Sequence, residues 1–346
     1  MENDRMTEID LVVPMVFPLD AVWQSDYARA FGQTASEARR NVRFRSWDTE
    51  HLLVQLCLKH MPWLRRIYIL LAGESQVQPW MEEIRVKSEE LRVKSEELGV
   101  KSGPSLCIVF HRDFIPQYLL PCFNVNTIEM FLHRIPGLSE HFIYSNDDFF
   151  PCSPLEPSDF FRPIHDSQST IHNPSPQEIV TGESASSQIM LPCQQCRERP
   201  FPARPNIFHR FVKNGLDMVA ADFGQEFTKT WLRPGHSMQP MLRSTVEHVC
   251  SAHADRIMRS FTLGRRPENY NQYIFPFWQH LSGRYINYTP SHTYLGPKTS
   301  TEDIVRHLRS EKPGIVCIND NEGIEDWQAR AREVKREMER MVKSEK

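Results

Sequence analysis

The stretch 121–150, PCFNVNTIEMFLHRIPGLSEHFIYSNDDFF, constrains the fold more than any other part of the chain. Its first half carries apolar residues at helical spacing, and Pro136-Gly137 interrupts that pattern. The segment from His141 to Ser145 is short, aromatic and β-branched, which is typical of a buried strand. The stretch therefore predicts a helix, a turn and a strand in immediate succession.

Asp147 and Asp148 follow the predicted strand directly, so two carboxylates stand side by side at its end. A divalent cation would relieve their mutual repulsion, most simply Mg²⁺ or Mn²⁺ holding a substrate phosphate. Asn-Asp-Asp is also ordinary turn chemistry, and the pair alone slightly favours a turn. Both interpretations stay open at this point.

The composition is that of an ordinary globular protein, with 346 residues, 40% hydrophobic and 25% charged, and a net charge of −3. This charge predicts no strong attraction to nucleic acid or to acidic membranes. The polar start, Met1 to Glu8, does not resemble a signal peptide, and no apolar run approaches the roughly 18 residues of a membrane span. We therefore expect a cytoplasmic protein with no transmembrane segment.

Eight cysteines in a chain of this length do not form a dense disulfide framework, so reduced and mostly buried thiols are expected. Cys193 and Cys196 are the only close pair, and no second CxxC or HxxxH motif completes a zinc site. We interpret them as incidental loop cysteines.

Apolar, β-branched runs separated by amphipathic segments predict an α/β fold with a mostly parallel sheet flanked by helices. A helix from Asp48 or Thr49 to about His60 leads directly into one of these runs, which favours parallel pairing. The predicted strands are 9–17, 67–71, 106–110, 141–145 and 315–318.

Single residues beside these elements are candidates for ligand contact. Asp20 lies just beyond the first strand, where α/β folds bind ligands, but a helix cap is at least as good an interpretation. Arg43 and Arg45 belong to a basic cluster that would face either a phosphate or solvent. His236 precedes a helix predicted over Met238 to Ala252, whose N-terminus would attract anions.

Long insertions interrupt the predicted sheet. Residues 82–102 are three seven-residue repeats without a coiled-coil seam, and we expect a loop insertion at 82–103, solvated or partly helical. A Pro-rich, irregular excursion over the active face is expected at 151–235. The predicted organisation is a single catalytic domain over 1–330 and a charged C-terminal helix or tail over 331–346.

Phe123 to Phe150 closely resembles the second conserved region of the Stealth family. These are sugar-1-phosphate transferases of bacterial capsule synthesis, related to the catalytic subunit of the animal lysosomal-enzyme N-acetylglucosamine-1-phosphotransferase. Four further segments keep the order of the family: IDLVVPMVFPLDAVW (9–23), RFR (43–45) with PWLRRIYIL (62–70), HSMQPM (236–241) and VCINDN (316–321). Two segments depart from it, since VPMVFPLDAVW replaces the usual YTWVDGSDP and the helix after RFR lacks the arginine of SLRS.

The resemblance implies a nucleotide-sugar-binding fold, Rossmann-like or GT-A-like. It also implies transfer of a sugar 1-phosphate from a nucleotide-diphosphate sugar, with a UDP-sugar favoured, to a hydroxyl of a glycan acceptor, with Mg²⁺ or Mn²⁺ as cofactor. Association with a membrane-bound polysaccharide-synthesis machinery at the inner face of the membrane would be peripheral. The altered first segment leaves the identity of the donor nucleotide open.

The resemblance also assigns residues. The implied catalytic residues are Glu129, Asp148, His236 and Arg266, with Arg265 as a neighbouring competitor for the last role. Asp147 and Asp148 are the implied metal ligands. The weaker candidates for substrate or nucleotide binding are Asp10, Asp20, Arg43, Arg45, Asn124, His133, Arg134, Asn319 and Asp320.

Two alternatives to a sugar-phosphate transferase remain. A metal-dependent glycosyltransferase would bind the same kind of donor but would release a nucleoside diphosphate. A degenerate family member without activity would bind a sugar or a partner, as the altered first segment allows.

Overall fold

The computed structural model describes residues 8–33, 45–98, 102–163, 190–320 and 324–344. Its strands are β1 (Ile9–Pro14), β2 (Arg66–Leu71), β3 (Ser105–Phe110), β4 (His141–Tyr144), β5 (Phe149–Pro151), β6 (Phe161–Pro163), β7 (Met190–Gln194), β8 (Cys196–Pro200), β9 (Thr230–Pro234), β10 (Gln239–Leu242), β11 (Ile286–Asn287), β12 (His292–Leu295) and β13 (Ile315–Ile318). Its α-helices are α1 (Ala21–Phe31), α2 (Glu50–His60), α3 (Pro79–Leu98), α4 (His111–Phe114), α5 (Val125–Glu129), α6 (Ile207–Ala220), α7 (Arg243–Ala252), α8 (Ala254–Ser260), α9 (Ile274–Leu281), α10 (Thr301–Leu308) and α11 (Trp327–Lys343).

The largest sheet has five strands in the order β10-β4-β1-β2-β3. Strands β1 to β4 are parallel, and β10 pairs antiparallel with β4 at one edge. The predicted α/β fold with a mostly parallel sheet and flanking helices is thus confirmed. All five predicted strands are present, although β1 ends at Pro14 and β4 at Tyr144.

The main sheet separates two hydrophobic cores. Leu11 and Val13 of β1 pack in the core that contains α2, whereas Val12 packs in the core that contains α6 and α9. All three side chains are fully buried. Because both faces of the strand are covered, it requires the continuous apolar run that the sequence shows.

A second sheet, in the order β12-β13-β5, continues from the main one. The chain leaves the main sheet after Tyr144 and enters the second sheet at Phe149, which lies opposite Cys317 of β13. Asp147 and Asp148 occupy the turn between the two sheets, where the N–H of Phe149 donates to the carbonyl of Asn146 at 3.4 Å. The turn interpretation therefore describes the backbone correctly.

The seven-residue repeats form most of α3, a helix of 20 residues. Of the two forms expected for the insertion at 82–103, solvated or partly helical, the structure shows the helical one as far as Leu98. Glutamate, lysine, arginine and leucine have high helix propensities, and ion pairs three residues apart add to them. These pairs are Arg85 with Glu82 and Arg92 with Glu89.

The described part of 151–235 is more regular than expected. It contains β6 to β9 and α6, with β6 paired to β7 and β8 paired to β9. The expected irregular excursion is therefore wrong for these residues, and 164–189 lies outside the described residues. Cys193 and Cys196 lie in β7 and β8, so they are not loop cysteines.

Two predicted helices are shorter than expected. The helix predicted over Met238 to Ala252 begins only at Arg243, because Gln239–Leu242 is buried and pairs with β4 as β10. His236 consequently precedes a strand, and its predicted place at a helix N-terminus is wrong. The helix within 121–150 is divided into α5 and a 3₁₀ turn at Leu132–Arg134.

The C-terminal helix α11 belongs to the same core as the sheet. Val334 and Met338 are fully buried and pack in the core that contains α2. Helix α11 is therefore an integral part of the fold rather than a tail. None of the helices in the described ranges is long and apolar enough to cross a membrane.

Candidate active site

A cavity of about 840 Å³ opens at the carboxyl edge of the parallel strands. Residues that follow β1, β2 and β4, including Met15, Ala72 and Asp147, line it. Parallel strands present their loops at this edge, which is where α/β folds bind ligands. The stretch 121–150 contributes to the lining from both sides of Pro136-Gly137, through Glu129 before it and Asp148 after it.

Asp148 and His236 both line the cavity, and the second sheet fixes the position of Asp148. The N–H of Ile318 donates to its carbonyl at 3.0 Å, and Cys317 and Asn319 donate to Oδ2 at 3.4 and 3.5 Å. The other carboxylate oxygen, Oδ1, is buried and has no hydrogen-bond partner among the described residues. Asp148 thus presents one uncommitted acceptor.

His236 is held by aromatic contacts. Its ring meets Phe149 and Tyr294 edge to face, with centroid distances of 5.1 and 5.2 Å, and its Nδ1 lies 3.3 Å from the hydroxyl of Tyr273. Burial lowers the pKa of His236, and the nearby Asp148 carboxylate opposes that shift. Burial raises the pKa of Asp148, opposed first by His236. The pair is therefore an electrostatically coupled acid and base.

Glu129 is a fully enclosed carboxyl group at the end of α5, only 4% exposed. It accepts hydrogen bonds from the Tyr144 hydroxyl at 2.9 Å and from the backbone N–H of Gln272 at 2.8 Å. Burial raises its pKa to about 7, although both hydrogen bonds and Arg265 lower it. A carboxyl group with so strongly shifted a pKa in a cavity is typical of a functional site.

Asp147 is exposed, and it lines the cavity. Desolvation, followed by repulsion from Asp148 and Glu50, raises the pKa of Asp147 to about 7. Glu50 begins α2, is 7% exposed and accepts a hydrogen bond from Ser46 at 2.6 Å. Glu50 is not among the residues predicted from the sequence, since a glutamate in the first turn of a helix carries no signal beyond favourable helix electrostatics.

Arg265 lines the cavity, whereas Arg266 does not. The field of Arg265 lowers the pKa of Glu129 and of Asp147, so its guanidinium is electrostatically close to both carboxyl groups. The backbone N–H of Arg266 donates to Asn269 at 2.8 Å, and both arginines are exposed. By position, Arg265 is the better candidate for contact with a substrate, and the implied role of Arg266 stays a prediction.

Three buried amides with unused polar atoms also line the cavity: Asn126, Asn271 and Gln272. Each is less than 5% exposed, and Nδ2 of Asn126, Oδ1 of Asn271 and Oε1 of Gln272 have no partner among the described residues. A buried polar atom without a partner costs about 1–3 kcal/mol. These atoms are therefore suited to a ligand with hydroxyl or amide groups.

An aromatic cluster forms another wall. Trp23 stacks on Tyr27 at a centroid distance of 5.1 Å, Tyr27 stacks on Phe31 at 4.4 Å, and Phe123 meets all three at an angle. All four residues line the cavity. The apolar wall and the polar cluster together resemble the mixed lining of small-molecule sites.

Arg45 and Asp320 form an ion pair at the edge of the cavity. The guanidinium binds both carboxylate oxygens, with Nε donating to Oδ2 at 2.6 Å, and the indole of Trp47 donates to the same oxygen at 2.9 Å. The guanidinium also lies over the ring of Trp327, 4.7 Å from its centroid. Arg45 and Asp320 therefore join the segment before α2 to the end of β13.

Several of the predicted binding residues have other tasks. Asp10 lies at the amino end of β1, away from the cavity, where it accepts from Arg65 at 2.9 and 2.5 Å and from the N–H of Ser139 at 2.8 Å. Asp20 caps α1 and accepts from the N–H of Trp23 at 2.9 Å. The helix-cap interpretation of Asp20 is therefore the one that the structure shows.

Asn124 caps α5 and holds the loop before Arg265, donating to the carbonyl of Thr262 at 3.1 Å and to Asn269 at 3.0 Å. His133 and Arg134 lie on the 3₁₀ turn and do not line the cavity. Arg43 lies outside the described residues. Of the weaker candidates in the described ranges, Arg45, Asn319 and Asp320 line the cavity.

Known proteins resemble this chain over most of its length. Residues 43–169 match the family described as Stealth protein CR2, conserved region 2. A capsular polysaccharide phosphotransferase of Haemophilus influenzae is 36% identical over 328 residues, covering 90% of this chain and 78% of the relative. The chain belongs to the Stealth family.

Two other relatives also match nearly the whole chain. A receptor polysaccharide phosphotransferase of Streptococcus oralis is 28% identical over 335 residues, 93% of each chain. A capsular polysaccharide phosphotransferase of Streptococcus pneumoniae is 27% identical over the same length and coverage. The chain is thus an enzyme, and all three of these relatives are polysaccharide phosphotransferases.

Proposed function

We propose that this Stealth enzyme transfers a sugar 1-phosphate from a nucleotide-diphosphate sugar to a hydroxyl of a glycan acceptor. The acceptor oxygen forms a bond to the phosphorus nearer the sugar, and the bond from that phosphorus to the bridging oxygen breaks. A nucleoside monophosphate leaves and a phosphodiester remains. The observation that carries the proposal is one cavity lined by Asp148, His236 and Arg265, in a chain whose relatives are polysaccharide phosphotransferases.

A nucleotide-sugar-binding fold of the Rossmann-like or GT-A-like kind is part of this proposal. The position of the cavity at the carboxyl edge of parallel strands supports it. The aromatic wall around Trp23 and Tyr27 offers an apolar surface to a base or a sugar ring, and the unpaired amides offer hydrogen bonds to hydroxyl groups. A UDP-sugar is the donor to test first.

His236 is the proposed general base. Its lowered pKa keeps the imidazole neutral near neutral pH, so a ring nitrogen can take the proton of the acceptor hydroxyl as the new bond forms. Asp148, which is electrostatically coupled to it, stabilises the imidazolium that results. The contacts with Phe149, Tyr294 and Tyr273 hold the ring in place, which limits the reorganisation needed at the moment of transfer.

Mg²⁺ or Mn²⁺ is the proposed cofactor. The described lining residues have more carboxyl groups than guanidinium groups, namely Glu50, Glu129, Asp147, Asp148 and Asp320 against Arg45 and Arg265. A diphosphate adds negative charge, so its binding here requires a cation.

Asp147 and Asp148 would hold this cation, since both carboxylates line the cavity and hard cations prefer oxygen ligands. The buried, unpaired Oδ1 of Asp148 fits that role. When bound, the cation neutralises charge on the diphosphate.

Arg265 is proposed to stabilise the charge on the transferred phosphoryl group, as guanidinium groups do at phosphoryl-transfer sites. Glu129 is proposed to act through Arg265, by holding it in position. Its carboxylate is electrostatically coupled to Arg265 and accepts from the backbone of Gln272, so it anchors the loop that carries the arginine.

The test is product analysis with the purified full-length chain, Mg²⁺ or Mn²⁺ and a panel of sugar nucleotides and glycan acceptors. Release of a nucleoside monophosphate with formation of a phosphodiester, read by mass, supports the proposal. Release of a nucleoside diphosphate would instead identify a glycosyltransferase and overturn it. Absence of turnover with every donor would favour a binding protein.

Two variants connect the activity to the site. Asp148→Asn and His236→Ala should each lower turnover by about 10²-fold or more, the range usual for lost acid, base or charge-stabilising groups. Asp303→Asn is the matched control, because Asp303 is exposed on α10 and pairs only locally with Arg306. Wild-type rates in both site variants would refute the assigned roles.

A further inference from the structure

Three side chains from separate segments converge beside the cavity: Asp148 from the turn after β4, His236 from the loop before β10 and Cys317 from β13. One carboxylate oxygen, one ring nitrogen and the sulfur lie within 4.8 Å of one another. Among the described residues, no other trio of His, Cys, Asp or Glu side chains converges in this way. The backbone fixes two of the three, because Cys317 pairs with Phe149, the neighbour of Asp148.

The three ligand atoms differ in chemical softness. Mg²⁺ binds oxygen ligands and has little affinity for imidazole or thiolate, whereas Zn²⁺ binds Cys, His and Asp together in tetrahedral sites. Zinc bonds to sulfur and oxygen of about 2.3 and 2.0 Å place two tetrahedral ligands about 3.5 Å apart. The sulfur of Cys317 lies 3.4 Å from Oδ2 of Asp148, which fits that edge of a tetrahedron.

We propose that Asp148, His236 and Cys317 form a binding site for Zn²⁺ or a cation of similar affinity for thiolate. Binding replaces the hydrogen bond between the thiol and Asp148 with two metal bonds, and the thiol proton is released to solvent. The three protein ligands leave a fourth position for water or a substrate oxygen, as in zinc sites that remain open.

Two further observations on the side chains of Asp148 and His236 support this site. Oδ1 of Asp148 is buried and has no hydrogen-bond partner among the described residues, so the carboxylate has capacity for a ligand. Nδ1 of His236 contacts the hydroxyl of Tyr273 at 3.3 Å, which leaves Nε2 for the metal and matches the outer contact that orients metal-binding histidines. Neither observation depends on the transferase reaction.

The consequence for catalysis rests on the proposed function. The site shares Asp148 with the proposed Mg²⁺ site and takes the lone pair of His236, the proposed base. A thiophilic cation would therefore inhibit the enzyme, and Cys317 determines which class of cation can do so.

The direct test is metal binding by the full-length protein after chelator treatment, with Zn²⁺ measured by calorimetry and Co²⁺ measured by absorption. The wild type should bind one Zn²⁺ and give the charge-transfer band of a Co²⁺–thiolate bond. Cys317→Ser should lose the band and weaken Zn²⁺ binding by at least about 10²-fold, since changes to outer contacts alone cost about 10- to 100-fold.

Cys122→Ser is the matched control. Cys122 is also a buried thiol and lines the cavity, but its sulfur donates to the carbonyl of Asn124 and is not part of the trio. This variant should keep both the band and the wild-type affinity. A wild type without the band, a Cys317→Ser variant that binds Zn²⁺ as tightly as wild type, or a Cys122→Ser variant that loses the band would each overturn the proposal.

If Cys317→Ser does not fold, as judged by thermal unfolding, His236→Ala is measured by the same two methods. It should bind Zn²⁺ at least about 10²-fold more weakly, and wild-type affinity in this variant would contradict the site. Failure of all sugar nucleotides in the activity assay would refute the proposed function and leave these binding results unaffected.

Discussion

Replacing Glu129 by glutamine should make the protein more stable at alkaline pH and less active. Burial raises the pKa of Glu129 from its ordinary value of 4.5 to about 7. Between these values the folded protein keeps a proton that the unfolded chain has lost, so the free energy of unfolding falls as pH rises through the folded pKa. The stability that the protonated form contributes is fully present below about pH 4.5 and is lost above about pH 7.

The magnitude follows from the same two values. A pKa difference of one unit is worth about 1.4 kcal/mol, so ionised Glu129 costs the folded state about 3 kcal/mol. Glutamine is always neutral, and it can still accept from the N–H of Gln272 and donate to the hydroxyl of Tyr144. We therefore expect the stability of the variant relative to wild type to increase by about 2.5 kcal/mol between pH 5 and pH 8.

The assay is urea unfolding of wild type and Glu129→Gln at both pH values, with sugar-nucleotide turnover measured in parallel. All other titrating groups are common to the two proteins and cancel in the difference. If the free energy of unfolding depended equally on pH in both proteins, the pKa of Glu129 would not be raised in the folded state, and the prediction would be refuted. A gain in stability together with a loss of turnover would show that the buried carboxyl group lowers stability but is needed for activity.

Other changes separate the roles of neighbouring charges. Asp10→Asn should destabilise the fold by about 3 kcal/mol in thermal or urea unfolding, because the Arg65 guanidinium loses its fully buried partner. Turnover per folded molecule should stay near wild type, and a selective loss of turnover would restore Asp10 as a binding residue. Arg265→Ala should lower turnover by about 10²-fold and Arg266→Ala by only a few-fold in steady-state assays. The reverse order would favour the residue implied by the family resemblance. Deleting Glu89–Ser95, one repeat of α3, removes about two helical turns and should leave turnover and the unfolding midpoint near wild type. A collapse in folding would mean that the repeat supports the core.

Most of the sheet was readable from the sequence because strands buried on both faces leave continuous apolar runs. The strand β13 has the predicted bounds, and α2 begins within one or two residues of its predicted start. The errors arose where pairing between distant segments overrode the local pattern. Gln239–Leu242 reads as the start of a helix but pairs with β4 as a strand.

The site was predicted only in part. Asp147, Asp148, Glu129, His236, Asn319 and Asp320 were proposed from their residues or from the family resemblance, and all of them line one cavity. Glu50 was missed because an acidic first turn of a helix is common. A signal for Cys317 existed, since it lies two positions before the candidate Asn319, which directly follows β13, and residues two apart in extended chain face the same side.

The sequence by itself determined the alternation of helices and strands, the acidic pair at the end of a strand and membership of the Stealth family. Only the tertiary structure decided what the acidic pair is next to. Asp148 meets His236 and Cys317 because β5 and β13 pair antiparallel and β10 packs beside β4, contacts between residues far apart in the chain. Contacts of the same long-range kind, with Tyr144 and the backbone of Gln272, enclose the Glu129 carboxyl group, and its burial raises the pKa to about 7.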